Sequence, residues 1–274
     1  MKHPRSIAIT SGKGGVGKTN IAVNLAIALQ RRRERVALFD ADLALANAHI
    51  VLGCKAQRTM ADAFTSDTPL KDLLSDGPEG VKLVAGGSGL SELMDLSPEN
   101  RHRIISSFRD LATEVDTLVV DTAAGIEANV VDFVTAADRV IVVVVGEPTA
   151  FVDAYAAIKV LHQETGRNNF DVIVNRARDE AHGLDVFKRF RAITDKFLTA
   201  NLHHIGSVPQ DPRLVQAVTQ RRPVLVAHPD CPASRAIGRI AETLTGRNAS
   251  PVDERSGGFF PFAPAGAPSA EAIP

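Results

Sequence analysis

The sequence predicts an α/β fold, a doubly wound, mostly parallel sheet flanked by helices. Three observations carry this. Short, wholly apolar segments such as Val140-Ile141-Val142-Val143-Val144-Val145 read as strands buried on both faces. They alternate with stretches of helical length, the order of right-handed βαβ units. Carboxylates, namely Asp40, Asp42 and Asp121, stand at the carboxyl ends of strands, where an open sheet binds its ligand.

Taken in order, Ile7-Ala8-Ile9 forms the first strand and Ile21 to Leu29 belongs to the first helix, residues 18–33. Between them Ser11 to Thr19 satisfies G-x-x-x-x-G-K-[ST], the phosphate-binding loop. Its glycines let backbone N–H groups turn inward around phosphate oxygens, and the helix start adds its positive dipole end. Gly12, Gly14, Gly15, Val16, Gly17, Lys18, Thr19 and Asn20 are the candidate nucleotide-binding residues. Lys18 is expected on the β- and γ-phosphates and Thr19 on Mg²⁺. The cations of Arg31 to Arg35 suit a helix C-terminus, with a basic patch as the other reading.

Val36 to Phe39 is the second strand and runs into Asp40-Ala41-Asp42. These two carboxylates either approach the γ-phosphate or cap the following turn. Residues 59–75 read as short helices and turns, and Val81 to Val84 as a strand. Gly86-Gly87-Ser88-Gly89 lacks dinucleotide-loop spacing and reads as a loop rather than a second nucleotide site. Ser97 and Pro98 start a helix reaching about Thr113. Thr117 to Asp121 is a buried strand ending in a carboxylate, the Walker B arrangement that holds Mg²⁺. A helix at 126–137, the strand at 139–145, a helix at 149–165, a strand at 170–175, a helix at 183–199, a strand at 203–208 and helices at 211–221 and 232–246 complete the alternation. Residues 1–246 read as one domain. Residues 247–274, rich in Pro, Gly and Ala, read as a disordered tail in which Phe259, Phe260 and Phe262 are a candidate docking motif.

Composition bounds the rest. The chain has 274 residues, 45% hydrophobic and 23% charged, with net charge -1, which argues against a dedicated nucleic-acid binder. Cys54 and Cys231 form no C-x-x-C, so a disulfide framework and a cysteine-ligated cluster are not expected. With no leader-like h-region and no apolar run of membrane length, the expected compartment is the cytoplasm.

Lys13 directly after the first glycine makes Lys13-Gly14-Gly15-Val16-Gly17-Lys18-Thr19 a deviant Walker A signature. Here the sequence resembles the MinD/ParA class of P-loop ATPases over residues 5 to 246. Asp40 to Asn47 looks like the D-A-D-L-G-L-A-N switch of that class, with Ala44 in place of the usual Gly, and Asp121 to Ile126 like its second switch. Glu147-Pro148-Thr149 with Asp153-Ala154-Tyr155, and Asn20 after Lys18-Thr19, resemble the flagellar-number regulators of the FlhG/FleN group.

The resemblance implies an ATP-bound homodimer in which Lys13 crosses to the partner's phosphates. It implies that Lys13, Lys18 and Asp40 are catalytic, with Asp40 positioning the attacking water, and that Thr19, Asp42 and Asp121 serve Mg²⁺. It also implies that Asn175 recognises adenine while Pro209, Gln210 and Asp211 close over the base. Implied partners are a flagellar signal-recognition-particle-type GTPase or a flagellar transcription regulator. Only Met1 to Arg5 precede the first strand, where such regulators carry a GTPase-stimulating extension, and the Pro-broken tail does not form an amphipathic membrane helix. Contact with the inner membrane is therefore weakly supported.

The function expected is a slow, partner-stimulated ATPase switch regulating flagellar number or placement. A ParA-like ATPase positioning chromosomes, plasmids or protein clusters on DNA is the alternative. A redox or metabolic enzyme of the same fold is disfavoured because neither cysteine sits in a cluster motif.

Overall fold

The computed structural model describes residues 3–43, 45–65, 68–87, 96–246, 250–251 and 258–261. Its strands are β1 (Arg5–Thr10), β2 (Val36–Ala41), β3 (Leu74–Asp76), β4 (Lys82–Val84), β5 (Thr117–Thr122), β6 (Arg139–Val145), β7 (Asn169–Ala177) and β8 (Asn201–Pro209). They form one sheet in the order β3-β4-β2-β5-β1-β6-β7-β8, parallel except for the β3–β4 pair. The helices are α1 (Lys18–Arg31), α2 (Ala48–Leu52), α3 (Met60–Thr65), α4 (Pro98–Ser107), α5 (Ala128–Ala136), α6 (Pro148–Thr165), α7 (Glu180–Thr194), α8 (Pro212–Thr219), α9 (Val224–Ala227) and α10 (Pro232–Thr245).

The two-faced burial expected of the apolar runs is visible in β6. Val140, Val142 and Val144 enter one core with Phe39, Phe108 and Phe133, whereas Ile141, Val143 and Val145 enter the other with the apolar residues of α1 and α10. Central β1 pairs with β5 on one side and β6 on the other, which puts the loop after it in the middle of the sheet's carboxyl edge.

Several boundaries differ from expectation for local reasons. Ser97 caps α4 as expected, accepting from the Asn100 N–H, but regular helix stops at Ser107 and tightens into a 3-10 turn at Phe108–Leu111. Helix α7 starts before residue 183 because Asp179 caps it, accepting from the His182 N–H at 2.7 Å, and it ends at Thr194. The antiparallel edge strand β3 overlaps the end of the stretch at 59–75 read as helices and turns, since three residues are too few to show a period of two. Arg31 and Arg35 at the first helix end are tied to Glu79 and Asp116.

The expectation of a structureless tail fails at 258–261. Phe259 and Phe260 are 0% and 4% exposed, and the Phe259 ring meets Phe108 edge-on at 5.1 Å. The Phe259 N–H donates to Ala136 O, and Phe260 O accepts from His3 Nε2. Two aromatic rings against an open core edge stabilise by about 2 kcal/mol each, enough to hold a short Pro/Gly-flanked segment. Nearer the domain, Ser250 joins the buried Arg139–Asp171 ion pair. Phe262 and the rest of the tail lie outside the described residues.

Candidate nucleotide site

The loop between β1 and α1 is built from backbone conformations and close approaches that explain its glycines. Gly15 and Gly17 have φ of 77° and 97°, in the left-handed region where a Cβ is strained. At Gly12 a Cβ would stand 2.0 Å from the backbone carbonyl of Asp153, so α6 can pack on the loop only if residue 12 lacks a side chain. No heavy atom lies within 4 Å of the Cβ position at Gly14, which opens outward.

The loop's carbonyls are tied from behind. Ser11 Oγ donates to Lys13 O at 2.8 Å, Arg176 to Gly15 O at 2.6 Å, and Asn175 Nδ2 to Val16 O at 2.7 Å. Holding carbonyls on one side turns intervening N–H groups toward the other, which forms an anion-binding concavity at the start of α1. Asn20 belongs to the first turn of α1, and its carbonyl accepts from Asn24, whose Oδ1 in turn takes the Leu225 N–H.

Beside the loop, β2 and β5 place Asp40 and Asp121 in register, each 1% exposed. Asp40 Oδ2 accepts from the Ala48 N–H at 2.8 Å, but its Oδ1 and both oxygens of Asp121 lack hydrogen-bond partners. Desolvation and the neighbouring Asp121 charge push the Asp40 carboxyl up to about 8, against the pull of the Ala48 amide. Desolvation likewise raises Asp121 to about 7, although nearby Thr19 and Lys18 favour its ionised form. Lys18 is 8% exposed, and its burial lowers its pKa despite the fields of Asp121 and Asp42. Asp42 Oδ1 accepts from the Leu45 N–H, so the turn-capping reading also holds for this carboxylate.

Uncompensated buried carboxylate oxygens are costly, and an arriving cation relieves them. Thr19, Asp42 and Asp121 offer the all-oxygen set that Mg²⁺ takes. No group of three or more His, Cys, Asp and Glu side chains forms a metal cage among the described residues, and Mg²⁺ bound through phosphates and one or two carboxylates needs none.

Lys13 is exposed and reaches Glu147 Oε2 at 3.4 Å and the Thr149 hydroxyl at 3.5 Å, at the start of α6. Asn175 ends up against the loop, where a Cβ on Gly17 would be 2.4 Å from its Nδ2. Pro209 closes β8 and the Gln210 N–H donates to Ala177 O. Asp211 is turned into the protein, 7% exposed, accepting from the Arg213 and Ala233 N–H groups and so joining the starts of α8 and α10. Desolvation would raise its pKa, but those two amides, with Cys231 and Arg213, hold it below the usual carboxylate value.

The structure thus places Asp40, Asp42 and Asp121 beside the loop of Gly12 through Asn20, with Asn175 bracing that loop from behind and Asp211 serving as a helix cap. Sequence reasoning missed Arg176, which has φ of 56° and supports the loop, and Glu147 and Thr149 as holders of Lys13. For Glu147 a signal existed, the motif over 147–155; for Arg176 there was none.

Known proteins resemble this chain over most of its length. The ParA family, described as the NUBPL iron-transfer P-loop NTPase, matches residues 2–245. The chain is 44% identical over 243 residues to the Antiactivator FleN of Pseudomonas aeruginosa, covering 88% of this chain and 87% of that protein. It is 31% identical over 258 residues to the Flagellum site-determining protein YlxH of Helicobacter pylori, covering 90% and 87%. Among solved structures, the MinC:MinD cell division protein complex of Aquifex aeolicus superposes with TM-score 0.72 at 28% identity, covering 89% of this chain and 96% of that one. The septum site-determining protein MinD of Pyrococcus horikoshii, complexed with Mg-ADP, shares the fold with TM-score 0.74 at 22% identity, covering 88% and 96%.

Proposed function

The chain belongs to the ParA/MinD family of P-loop NTPases, and from that premise we propose that it is an ATP-driven dimerisation switch regulating the number or placement of bacterial flagella. The observation that carries the flagellar reading is the 44% identity to an antiactivator named FleN across nearly the whole length of both chains. The similarity to YlxH, a flagellum site-determining protein, points the same way.

In this reading the loop N–H groups and Lys18 bind the β- and γ-phosphates, and Thr19 and Asp121 hold Mg²⁺ with Asp42 behind them. When bound, Mg²⁺ neutralises charge across the phosphates. Asp40, fixed through Oδ2 by Ala48, keeps Oδ1 free to position the attacking water. Lys13 leaves Glu147 and reaches across to the second subunit's triphosphate, so only the ATP state holds the dimer together. Asn175 offers an amide edge to adenine, and exposed Gln210, with the Pro209 backbone, lies over the base. Asp211 supports that loop from inside as a cap.

Hydrolysis resets the switch, and its slowness and stimulation by a partner belong to this proposal. Residues 1–246 are the ATPase domain. The partner is a flagellar transcription regulator, with a signal-recognition-particle-type GTPase as a further candidate, and the site of action is the cytoplasm. No helix among the described residues is long and apolar enough to cross a membrane.

The deciding experiment counts and locates flagella in cells lacking the gene and in cells carrying Lys13→Ala. Altered number or position in both is expected. Wild-type flagellation in the deletion strain would remove the flagellar reading and leave the ATPase assignment standing.

A further inference from the structure

Outside the phosphate loop, the carboxyl ends of β2 and β4 frame a cleft of about 670 Å³. Small residues, Gly53, Ala85 and Gly86 among them, make up much of its lining, together with Ile50. His49, Lys55 and Arg221 line it, and no carboxylate does so among the described residues. None of these three side chains is paired with an Asp or Glu among the described residues, although most arginines around the first helix end are paired. The wall is a fitted one: a Cβ on Gly53 would meet Arg221 O at 2.3 Å, and one on Gly86 would meet Asp40 O at 2.7 Å.

We propose that this cleft is a second ligand site, for a small planar organic anion, separate from the phosphate loop. The volume falls in the range of small-molecule sites, and the position at strand carboxyl ends is where open α/β sheets bind ligands. The glycine and alanine residues of the lining, having little or no side chain, let a ring approach the backbone. Cationic and N–H donors in the lining, with no acid beside them among the described residues, select negative charge on that ring.

The site is also wired to the switch. Helix α2, which carries His49 and Ile50 into the cleft, begins with the Ala48 N–H that holds Asp40 Oδ2. The opposite wall at Gly86 lies directly against the Asp40 carbonyl. An occupant that draws α2 toward Arg221 therefore alters how Asp40 is held.

Cys54 is half-buried in the lining and serves as the reporter, whereas Cys231 is 1% exposed and silent while the protein is folded. The full chain is saturated with Mg-ADP so that the phosphate loop is filled. It is then reacted with dianionic 5,5′-dithiobis(2-nitrobenzoate) or with neutral 4,4′-dithiodipyridine. In each case the Cys54 thiolate attacks one reagent sulfur, the reagent S–S bond breaks, a mixed disulfide forms and the other half leaves as thiolate.

The ratio of dianion rate to neutral rate is expected to fall at least about fivefold in a Lys55→Gln/Arg221→Gln double variant, since two nearby cations act on two anionic groups. Each single variant falls between, Cys54→Ser does not react, and an unchanged rate with the neutral reagent reports an intact fold. Benzene-1,3,5-tricarboxylate at millimolar concentration is expected to slow the neutral reagent in the wild type but not in the double variant. The wild type carrying the mixed disulfide is expected to turn over ATP at a changed rate. A rate ratio unmoved by the substitutions overturns the site. Protection by hexaglutamate but not by the tricarboxylate overturns the small-molecule occupant in favour of an acidic segment of a partner protein.

Discussion

Lys13 Nζ lies 3.4 Å from Glu147 Oε2, so in the single subunit the lysine that departs from an ordinary phosphate loop is held by its own chain. The two side chains are 43% and 55% exposed, and an exposed pair of this kind contributes about 0–1 kcal/mol. It can therefore be exchanged for a more strongly charged acceptor without a large barrier. Glu147→Gln is expected to strengthen ATP-dependent self-association by no more than about thirtyfold, because each dimer releases two such pairs. Lys13→Ala is expected to abolish it. Sedimentation velocity with ATP in an Asp40→Ala background checks both; a Lys13→Ala protein that dimerises normally would refute the crossing role.

Asp40 and Asp121 make the ligand-free protein sensitive to pH. Their folded-state values, about 8 and about 7, lie above the ordinary 3.8, so the native state keeps protons that the unfolded chain has released. Protons bound in excess by the native state make stability fall as pH rises, through the window from about 4 to about 8, with no further loss above it. Melting temperatures of nucleotide-free protein between pH 5 and 8.5 should decline accordingly, by the equivalent of about 1–3 kcal/mol. Asp40→Asn should flatten the decline. Mg-ADP affinity should rise over the same range, because the cation binds the ionised pair.

The glycines of the loop separate space from chemistry. Gly12→Ala drives a Cβ to within 2.0 Å of the Asp153 carbonyl, and neither α6 nor the loop can yield without breaking strand or helix contacts. A loss of about 2 kcal/mol or more is expected, with nucleotide binding lost as well. Gly14→Ala meets nothing within 4 Å and should melt like the wild type. Any effect is expected in nucleotide affinity alone, so paired melting and titration experiments distinguish the two.

What could be read from the sequence follows how far apart the cooperating residues lie. Lys18, Thr19 and their loop were legible because strand, glycines and helix start are contiguous and each dictates local conformation. Asp40 and Asp121 were legible because each ends an apolar run. The hold of Glu147 on Lys13 spans 134 positions, and the tie of Asp211 to the Ala233 N–H spans 22, and no periodicity encodes either. Phe259 and Phe260 were hidden by their neighbours: Pro, Gly and Ala promise no secondary structure, yet packing two rings requires none. That burial gives its own prediction, since Phe259→Ala should cost about 2–4 kcal/mol, measured by denaturant unfolding.

Asn175 presents two possible roles that one substitution can separate. Its Nδ2 donates to Val16 O at 2.7 Å, while its Oδ1 accepts from the Arg176 N–H at 2.9 Å, so the side chain braces the loop before any base arrives. Each partner retains capacity: the amide nitrogen has a second hydrogen and the oxygen a second lone pair. Loss of the brace should weaken every nucleotide alike, by about tenfold for one buried hydrogen bond to the loop. Loss of an adenine contact should weaken ATP further but leave GTP at the common value. Asn175→Ala is therefore expected to lower the affinities for both nucleotides and to narrow the preference for ATP, as measured by competition titration. Equal losses for ATP and GTP would assign the residue to loop support alone and move base recognition to the backbone at 209–210.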